Sequence, residues 1–450
     1  MVLVAIIAAI FSWSITPVPF EYVDSDKKIV VLGATSHILP LVRIINVVFH
    51  PFRRVLVPIE LENLKKEAIA SFGGGYDDFG TLCDWEALEK FAEIADERAH
   101  LLGRYLYKEN IAQILKTHLA ISKIVQENPE ILDETIEKPI FVAASPRSGG
   151  SFLHRVLADT FDQELVPNYF YEVVVDPIEL PDTISRKELV DARMKATSVV
   201  NPPLMIMHEF TNAEDVAEDA GWGKHTMRGA IMSVIIPSIW HHLNIYQEST
   251  AEINKNFWEI LLKIKQWKAG RKLRFILKAA DHLFYLPYLS ETFPDARFVT
   301  VSRDEDAMYK SALVLTHTFR QLFVANTHIN ETVCKQDLKT CHLLKALEVA
   351  HDKKYKSQVM SVSSEDRLFT NTFEIVANFA KHADLPWDGV KQAHARSVIA
   401  KRLSWKKHKA IYRMADFGLE DDGIKERLAT LCEELPETVE GLEEFYNLKA

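Results

Sequence analysis

A run of small and polar residues between an apolar segment and a helix is the first feature of this chain that could do chemistry. The apolar residues Ile140 to Ala144 precede Ser145-Pro146-Arg147-Ser148-Gly149-Gly150-Ser151, and helical spacing follows. Adjacent glycines let the backbone approach an anion, and free amide groups at a helix start can donate to it. Arg147 adds a charge and Ser151 adds a hydroxyl. The pattern predicts a strand, a phosphate-binding loop and a helix.

This loop differs from the loop of ordinary nucleoside triphosphatases. The consensus GxxxxGK[ST] requires a lysine that is absent here, and only the Gly150-Ser151 pair remains. No convincing magnesium-binding aspartate follows a strand either. A nucleotide-dependent kinase of P-loop architecture is therefore an alternative that these two absences disfavour.

A second stretch repeats the alternation of strand and helix. It comprises a buried strand Phe275–Lys278, a helix His282–Phe293 and a strand Ala296–Val301. Ser302-Arg303-Asp304 then opens a helix, and Ser311 lies eight residues after Arg303. Ligands of open parallel sheets bind at the carboxyl ends of the strands, so Lys278 and Arg303 are candidates for such an edge.

Both stretches resemble the large, mainly bacterial-type family of sulfotransferases that use 3′-phosphoadenosine 5′-phosphosulfate (PAPS). The loop resembles their Pro-Arg-(Ser/Thr)-Gly-Thr-Thr loop, and 277–283 and 293–297 resemble their Leu-Lys-Ser-Pro-x-His-Leu and Phe-Pro-Asp-Ala-Arg segments. The resemblance implies that Arg303 and Ser311 hold the 3′-phosphate, to which a forked guanidinium is suited. It implies that the 5′-phosphosulfate is held by Pro146, Arg147, Ser148, Gly149, Gly150, Ser151 and Phe152. PAPS is then the co-substrate, and no metal is required.

The resemblance covers roughly residues 60 to 435, with the Asp-Asp-Phe-Gly of 77–80 and the segment 408–419 in family order. Two departures bear on activity. Gly150 and Ser151 replace two threonines, and Ala279-Ala280 replaces Ser-Pro, so hydroxyl donors and a rigid turn are lost. A catalytically inactive, membrane-associated relative that only binds the nucleotide is the alternative from a different class.

Sulfuryl transfer requires a base near the acceptor and cations on the sulfonate oxygens and the leaving phosphate. His282 is predicted as the base, because an imidazole titrates near neutrality and lies close to the strand end. Lys278 is predicted to stabilise the leaving phosphate. Glu172 and His208, which lie between the two cofactor motifs, are rival candidates for the base. Basic residues Lys406 and Lys407 lie where the family's C-terminal segment covers the nucleotide, so we predict that they contact the 3′-phosphate.

The amino-acid composition limits the kinds of partner that we expect for this protein. The 450 residues carry a net charge of −10 with no long basic run, which argues against nucleic acid. The four cysteines, Cys83, Cys334, Cys341 and Cys432, have no zinc-ligand spacing, so no metal site is predicted. The expected partner is a small-molecule or glycan acceptor with a hydroxyl or an amine. Lipid-like and carbohydrate acceptors both stay open.

The amino terminus predicts association with a membrane. Residues 1–20 contain no charged side chain and are long enough to cross a bilayer, and the poor match to a cleaved leader favours an uncleaved anchor. The rest of the protein would be cytoplasmic. A second apolar stretch, Ile29 to Pro51, is predicted either to lie in the membrane interface or to dock as a core helix.

The predicted fold is α/β, with a P-loop-like parallel sheet flanked by helices. We divide the chain into an apolar segment at 1–57, a helical region at 58–137, and a sulfotransferase-like domain at 138–435 with a helical insert at 182–270. The predicted function is transfer of a sulfuryl group from PAPS to an acceptor.

Overall fold

The structure is a computed structural model that describes most of the chain. The described residues are 21–24, 29–32, 38–174, 176–180, 185–207, 212–236, 248–325, 331–363, 368–404 and 409–417. The predicted anchor at 1–20 lies outside them. Among the described residues, no helix is both long enough and apolar enough to cross a membrane.

A parallel five-stranded sheet forms the centre of the fold, in the order β4-β5-β3-β6-β7. Its strands are β3 (Ile140–Ala143), β4 (Val166–Pro167), β5 (Phe275–Ala279), β6 (Arg297–Val301) and β7 (Val359–Val362). In register, Phe141 pairs with Leu277 on one side and with Phe298 on the other. Strands β3 and β5 are buried along their whole length, as continuous apolar runs in a parallel sheet require.

A smaller sheet joins the two ends of the described chain. Strand β1 (Glu21–Asp24) pairs antiparallel with β2 (Ile29–Leu32), and β2 pairs parallel with β8 (Lys409–Tyr412). The apolar start of the stretch 29–51 is therefore a strand. The prediction of a helix or an interfacial segment was wrong there, because four apolar residues cannot reveal their periodicity.

Helices cover both faces of the central sheet. They are α1 (Pro40–Val48), α2 (Arg53–Leu56), α3 (Leu61–Ser71), α4 (Trp85–Arg98), α5 (Leu101–Glu127), α6 (Gly150–Thr160), α7 (Phe170–Val174), α8 (Arg186–Val200), α9 (Pro202–Met207), α10 (Gly223–Thr226), α11 (Ile231–Ile235), α12 (Glu248–Ala269), α13 (His282–Thr292), α14 (Glu305–Arg320), α15 (Glu331–Lys354), α16 (Thr372–His382) and α17 (Gly389–Ser404). Short 3₁₀ turns occur at His50–Phe52, Pro129–Asp133, Asp219–Trp222 and Met414–Phe417. This arrangement confirms the predicted α/β class.

The core lies in two layers, one on each face of the sheet. Phe141 and Leu277 point into a layer formed with the N-terminal helices and α12, α13 and α15. Their neighbours Val142 and Ile276 point into a layer formed with α6, α16 and α17. Successive strand residues point to opposite faces, so each strand contributes to both layers.

Helix α5 approaches the chain that follows α14 so closely that only glycine fits at position 103. A β-carbon on Gly103 would lie 1.8 Å from the carbonyl oxygen of Phe323. The adjacent amide of His100 donates to the same carbonyl at 3.3 Å. The N-terminal helical region is thus fixed at this point to the part of the chain that contains the central sheet.

We predict that Gly103→Ala lowers the free energy of unfolding by about 1 to 3 kcal/mol, because the backbone contact must open to admit the methyl group. Urea unfolding followed by fluorescence measures the change. The matched control is Gly75→Ala, where an added β-carbon meets no atom within 4 Å. Equal midpoints for Gly103→Ala and the wild type would contradict the close approach.

Candidate functional site

The loop from Ser145 to Gly149 turns the chain sharply between β3 and α6. Arg147 has a φ of +65° and Gly149 a φ of +103°, both in the left-handed region. A β-carbon on Gly150 would lie 2.7 Å from the β-carbon of Ala144. A threonine at 150 would therefore collide with the end of β3, which gives a steric reason for the departure from the family pattern. The first amides of α6 begin at this loop, where helix geometry leaves them without intrahelical acceptors.

Two arginines and a serine meet beside the loop. The Arg147 Nε donates to Ser311 Oγ at 2.9 Å, and an Nη of Arg303 donates to the Arg147 carbonyl at 3.0 Å. Ser311 Oγ also lies 2.8 Å from the hydroxyl of Tyr412, which belongs to β8. Parts of the chain more than 150 residues apart thus form one cluster, in which Arg303 is exposed and Ser311 is buried.

A cluster of buried polar side chains connects the loop to the end of the neighbouring strand β6. Ser145 Oγ donates to Glu348 at 3.0 Å, and Glu348 is ion-paired with Lys345 at 2.6 Å. Lys345 also donates to Ser302 Oγ, at the end of β6. The pKa of Glu348 is raised by burial, and Lys345 opposes that shift. Helix α15 therefore holds the ends of β3 and β6 together.

The end of β5 carries a second cationic group, Lys278. Its Nζ forms an ion pair with Glu218 at 2.5 Å, and Ser151 Oγ donates to the same carboxylate. The Lys278 side chain is buried, whereas that of Glu218 is 26% exposed. The first turn of α6 and the end of β5 thus meet at one carboxylate.

His282 lies behind this pair and is almost fully buried. Its Nε2 is 2.9 Å from Asp219 Oδ2. The same carboxylate accepts from Trp258 Nε1 at 2.5 Å and, through Oδ1, from the Lys278 amide at 2.6 Å. Burial by itself raises the pKa of Asp219, but the charge and hydrogen bonds of its neighbours, His282 first, outweigh it and lower that pKa. Asp219 consequently fixes both His282 and the backbone that presents Lys278.

A cavity of about 1310 Å³ opens beside Lys278 and Glu218. Its walls come mainly from α5, α7, α8, α11 and α14, and Pro146 of the loop contributes to its lining. Most of the lining is apolar, for example Leu106, Val190, Leu313 and Phe319. Lys278, Glu218 and Asp281 form polar parts of the wall near the end of β5. His282 is not among the described residues that line it.

The other predicted site residues lie in different places. Glu172 is buried, and its carboxylate is ion-paired with Lys265 at 3.0 Å and accepts from the Tyr169 amide. Ser148 donates to the Ser145 carbonyl at 2.7 Å, and the ring of Phe152 packs against Phe369. His208, Lys406 and Lys407 lie outside the described residues. Within the described part of the chain, no cluster of three or more His, Cys, Asp or Glu side chains could hold a metal.

Three residues at this site were missed from the sequence. Glu218 and Asp219 come from a short turn within the helical insert, and the only signal was their adjacency in Ala217-Glu218-Asp219-Ala220. Tyr412 lies inside the C-terminal segment that resembles the family, so that segment could have indicated it. Each of these three residues contacts a residue that is distant from it in sequence.

Asp281 is a buried acid in the cavity wall. Its Oδ2 accepts from the Ala230 amide at 2.8 Å. Burial is the main cause that raises the pKa of Asp281 to about 6, and the Ala230 hydrogen bond and His282 oppose the shift. The folded protein therefore keeps a proton on Asp281 at pH values where the unfolded chain has released it.

Asp281 should make the free energy of unfolding fall as pH rises from about 4 to about 6, because over this range only the folded state binds the proton. We predict that Asp281→Asn, which keeps an acceptor for Ala230, is increasingly stable relative to the wild type across this range. The relative gain should be about 1 kcal/mol between about pH 5 and pH 7.5, and urea unfolding at several pH values measures it. A difference independent of pH would contradict the raised pKa.

The comparisons with known proteins agree with this geometry. Residues 139–389, more than half of the chain, match the model of the sulfotransferase family. Sulfotransferase STF1 from Mycobacterium tuberculosis H37Rv has a similar structure, with a TM-score of 0.64, 21% identity, and coverage of 82% of this chain and 98% of that one. Sulfotransferase STF9 from Mycobacterium avium has a TM-score of 0.64 at 17% identity, covering 83% of this chain and 95% of that one. A comparison with curated proteins gives no significant match. The family match extends over the loop, the strand ends and the insert that build the site, and this chain belongs to the sulfotransferase family.

Proposed function

We propose that the protein transfers a sulfuryl group from PAPS to a hydroxyl or amine acceptor. One observation carries the proposal: the loop after β3, Lys278 near the end of β5 and Arg303 after β6 lie at the same edge of the sheet, and Arg147, Arg303 and Ser311 are joined by hydrogen bonds. Family membership supports the sulfotransfer, and this geometry supports the nucleotide.

The residues present suit a doubly phosphorylated nucleotide. Arg303 is exposed and can turn its remaining donors to a 3′-phosphate, with Ser311 and Arg147 beside it. Lys278 and the first amides of α6 lie at the same edge of the sheet, and they can donate to a 5′-phosphosulfate. PAPS supplies an activated sulfonate when bound, and the protein contributes position and charge.

The proposed transfer requires a cation, a base and an acceptor-binding cavity from this chain. The acceptor oxygen or nitrogen forms a bond to sulfur while the bond from sulfur to the 5′-phosphate oxygen breaks, so adenosine 3′,5′-bisphosphate leaves. Lys278 stabilises the charge that develops on the leaving phosphate. A base takes the proton of the acceptor. The cavity holds the acceptor so that its nucleophile points at the sulfonate.

Glu218 is our candidate for that base. It lines the cavity beside Lys278, and it is partly exposed, so it can contact an acceptor. The choice of His282 from the sequence stays a prediction. Its burial and its position next to Asp219 and Trp258 favour a positioning role beneath Lys278.

Arg303→Ala should weaken binding of adenosine 3′,5′-bisphosphate by about 10-fold to 100-fold, the loss expected for charge-assisted hydrogen bonds to a phosphate. Titration calorimetry measures the dissociation constant. The control is Arg54→Ala, an exposed arginine paired with Asp96. Unchanged affinity in Arg303→Ala would contradict the nucleotide site, and binding of ATP with magnesium instead would indicate a kinase.

Glu218→Gln should reduce the turnover of labelled sulfate from PAPS by about 10²-fold to 10⁴-fold, while the affinity for adenosine 3′,5′-bisphosphate stays near that of the wild type. A panel of hydroxyl-bearing lipids and sugars supplies the acceptors. Glu218→Asp should restore part of the rate. If His282→Gln loses the rate and Glu218→Gln keeps it, His282 is the base. Absence of transfer by a wild type that binds the nucleotide would indicate a non-catalytic relative.

A further inference from the structure

The segment from Pro40 to Leu56 exposes an unusual amount of apolar surface. It contains α1, the following 3₁₀ turn and α2. The exposed fraction is 74% for Val47, 60% for Phe52 and 84% for Val55, and Ile45, Val48, Phe49 and Leu56 are exposed as well. Scattered apolar residues on a surface are ordinary, but seven within one short segment indicate a surface that meets an apolar partner. We call these seven residues the apolar face.

Hydrogen bonds fix the segment to the body of the protein, so the apolar face has a defined position on the surface. Asn46 is buried, and its Oδ1 accepts from the Leu102 amide at 3.1 Å. Arg53 donates to the carbonyls of His50 and Glu97. The contacts with Leu102 and Glu97 hold the polar side of the segment against α5 and α4, and they leave its apolar side chains pointing outward.

The charged residues of the segment itself have one sign, and Arg54 among them is ion-paired with Asp96 of α4 at 3.0 Å. No acidic residue occurs between Asp26 and Glu60, whereas Arg43, Arg53 and Arg54 do occur there. The protein as a whole carries a net charge of −10, so this cationic stretch is a local exception. Exposed valine, leucine and phenylalanine flanked by arginine are typical of a segment that lies in the interface of an anionic bilayer.

The same segment borders the cavity beside Lys278. Leu102, which donates to Asn46, lines that cavity, and so does Val200, whose carbonyl accepts from the Leu39 amide at 2.9 Å. Tyr105 lines the cavity and is more than half exposed, which marks an opening near α1. A bilayer on the apolar face would therefore lie next to this opening.

We propose that the apolar face docks on an anionic membrane surface and that the acceptor is a lipid alcohol that enters the cavity from that membrane. The second part rests on the proposed sulfotransferase function. A cavity of about 1310 Å³ with a largely apolar wall accommodates a long chain or a fused-ring body, and its polar wall at Lys278 and Glu218 meets the hydroxyl. A carbohydrate acceptor would leave that apolar wall without matching contacts.

Flotation of the full-length protein with vesicles tests the docking. The wild type should bind vesicles of phosphatidylcholine with phosphatidylserine more tightly than vesicles of phosphatidylcholine alone. The variant with Val47→Glu and Val55→Glu should bind at least about tenfold more weakly, because two apolar anchors are lost and two negative charges face the lipid. Val390→Glu is the matched control, since Val390 is 81% exposed on α17, remote in sequence from the apolar face. Unchanged binding by the double variant would overturn the proposal and assign the membrane contact to another part of the chain.

A second copy of the chain is the alternative partner of the apolar face, and light scattering in solution tests it. A wild type that is dimeric without lipid, together with a monomeric double variant, would make the face an interface between two copies and overturn the docking.

Transfer of labelled sulfate to a sterol or a long-chain alcohol in the same vesicles tests the acceptor. The double variant should lose at least about tenfold in rate on vesicles, with unchanged affinity for adenosine 3′,5′-bisphosphate. Transfer to sugars alone would overturn the lipid acceptor. Failure of the wild type to bind the nucleotide would overturn the proposed function and leave the vesicle-binding result standing.

Discussion

Parallel pairing of β3 with β5 and β6 is the constraint on which the rest of the structure depends. Because the three strands run in one direction, their carboxyl ends bring the loop at Ser145, Lys278 and Arg303 to one edge. Antiparallel pairing of any one strand would place its candidate site residue at the opposite edge. The chemistry of the proposed site follows from this alignment, and the helices on both faces preserve it by burying β3 and β5 along their whole length.

Buried charged residues next to the site stabilise this edge of the sheet, although removing them from water costs free energy. Asp219 is buried with His282 and Trp258 around it, and Glu348 is buried with Lys345. Replacing one member of such a group leaves an uncompensated charge, which typically costs about 3 to 5 kcal/mol. The same carboxylates that position Lys278 and the loop therefore also maintain the fold, so the proposed site and the stability of the protein depend on the same residues.

The sequence was sufficient for the central elements and insufficient for the contacts between them. Strand β5, helix α13 and strand β6 begin and end within one residue of their predicted bounds, because a buried parallel strand is a continuous apolar run. The resemblance assigned Arg147 and Ser311 to opposite ends of the nucleotide, so their direct hydrogen bond was not predicted. Glu218 and Asp219 could not be predicted, since a short turn in a helical insert has no periodicity that relates it to Lys278. The burial of His282 also depends on Trp258 and Phe141, which pack on it from distant elements.

The left-handed backbone conformation of Arg147 bears on whether the loop becomes ordered during folding or during binding. A residue with a side chain at φ +65° is less stable there by about 1 kcal/mol or more, and surrounding contacts must compensate. Its guanidinium is already held by Ser311 and by the Met207 carbonyl, so those rotamers are fixed when the protein folds. The entropy of arranging the loop is lost during folding rather than during recognition, and an arriving anion meets a preorganised surface.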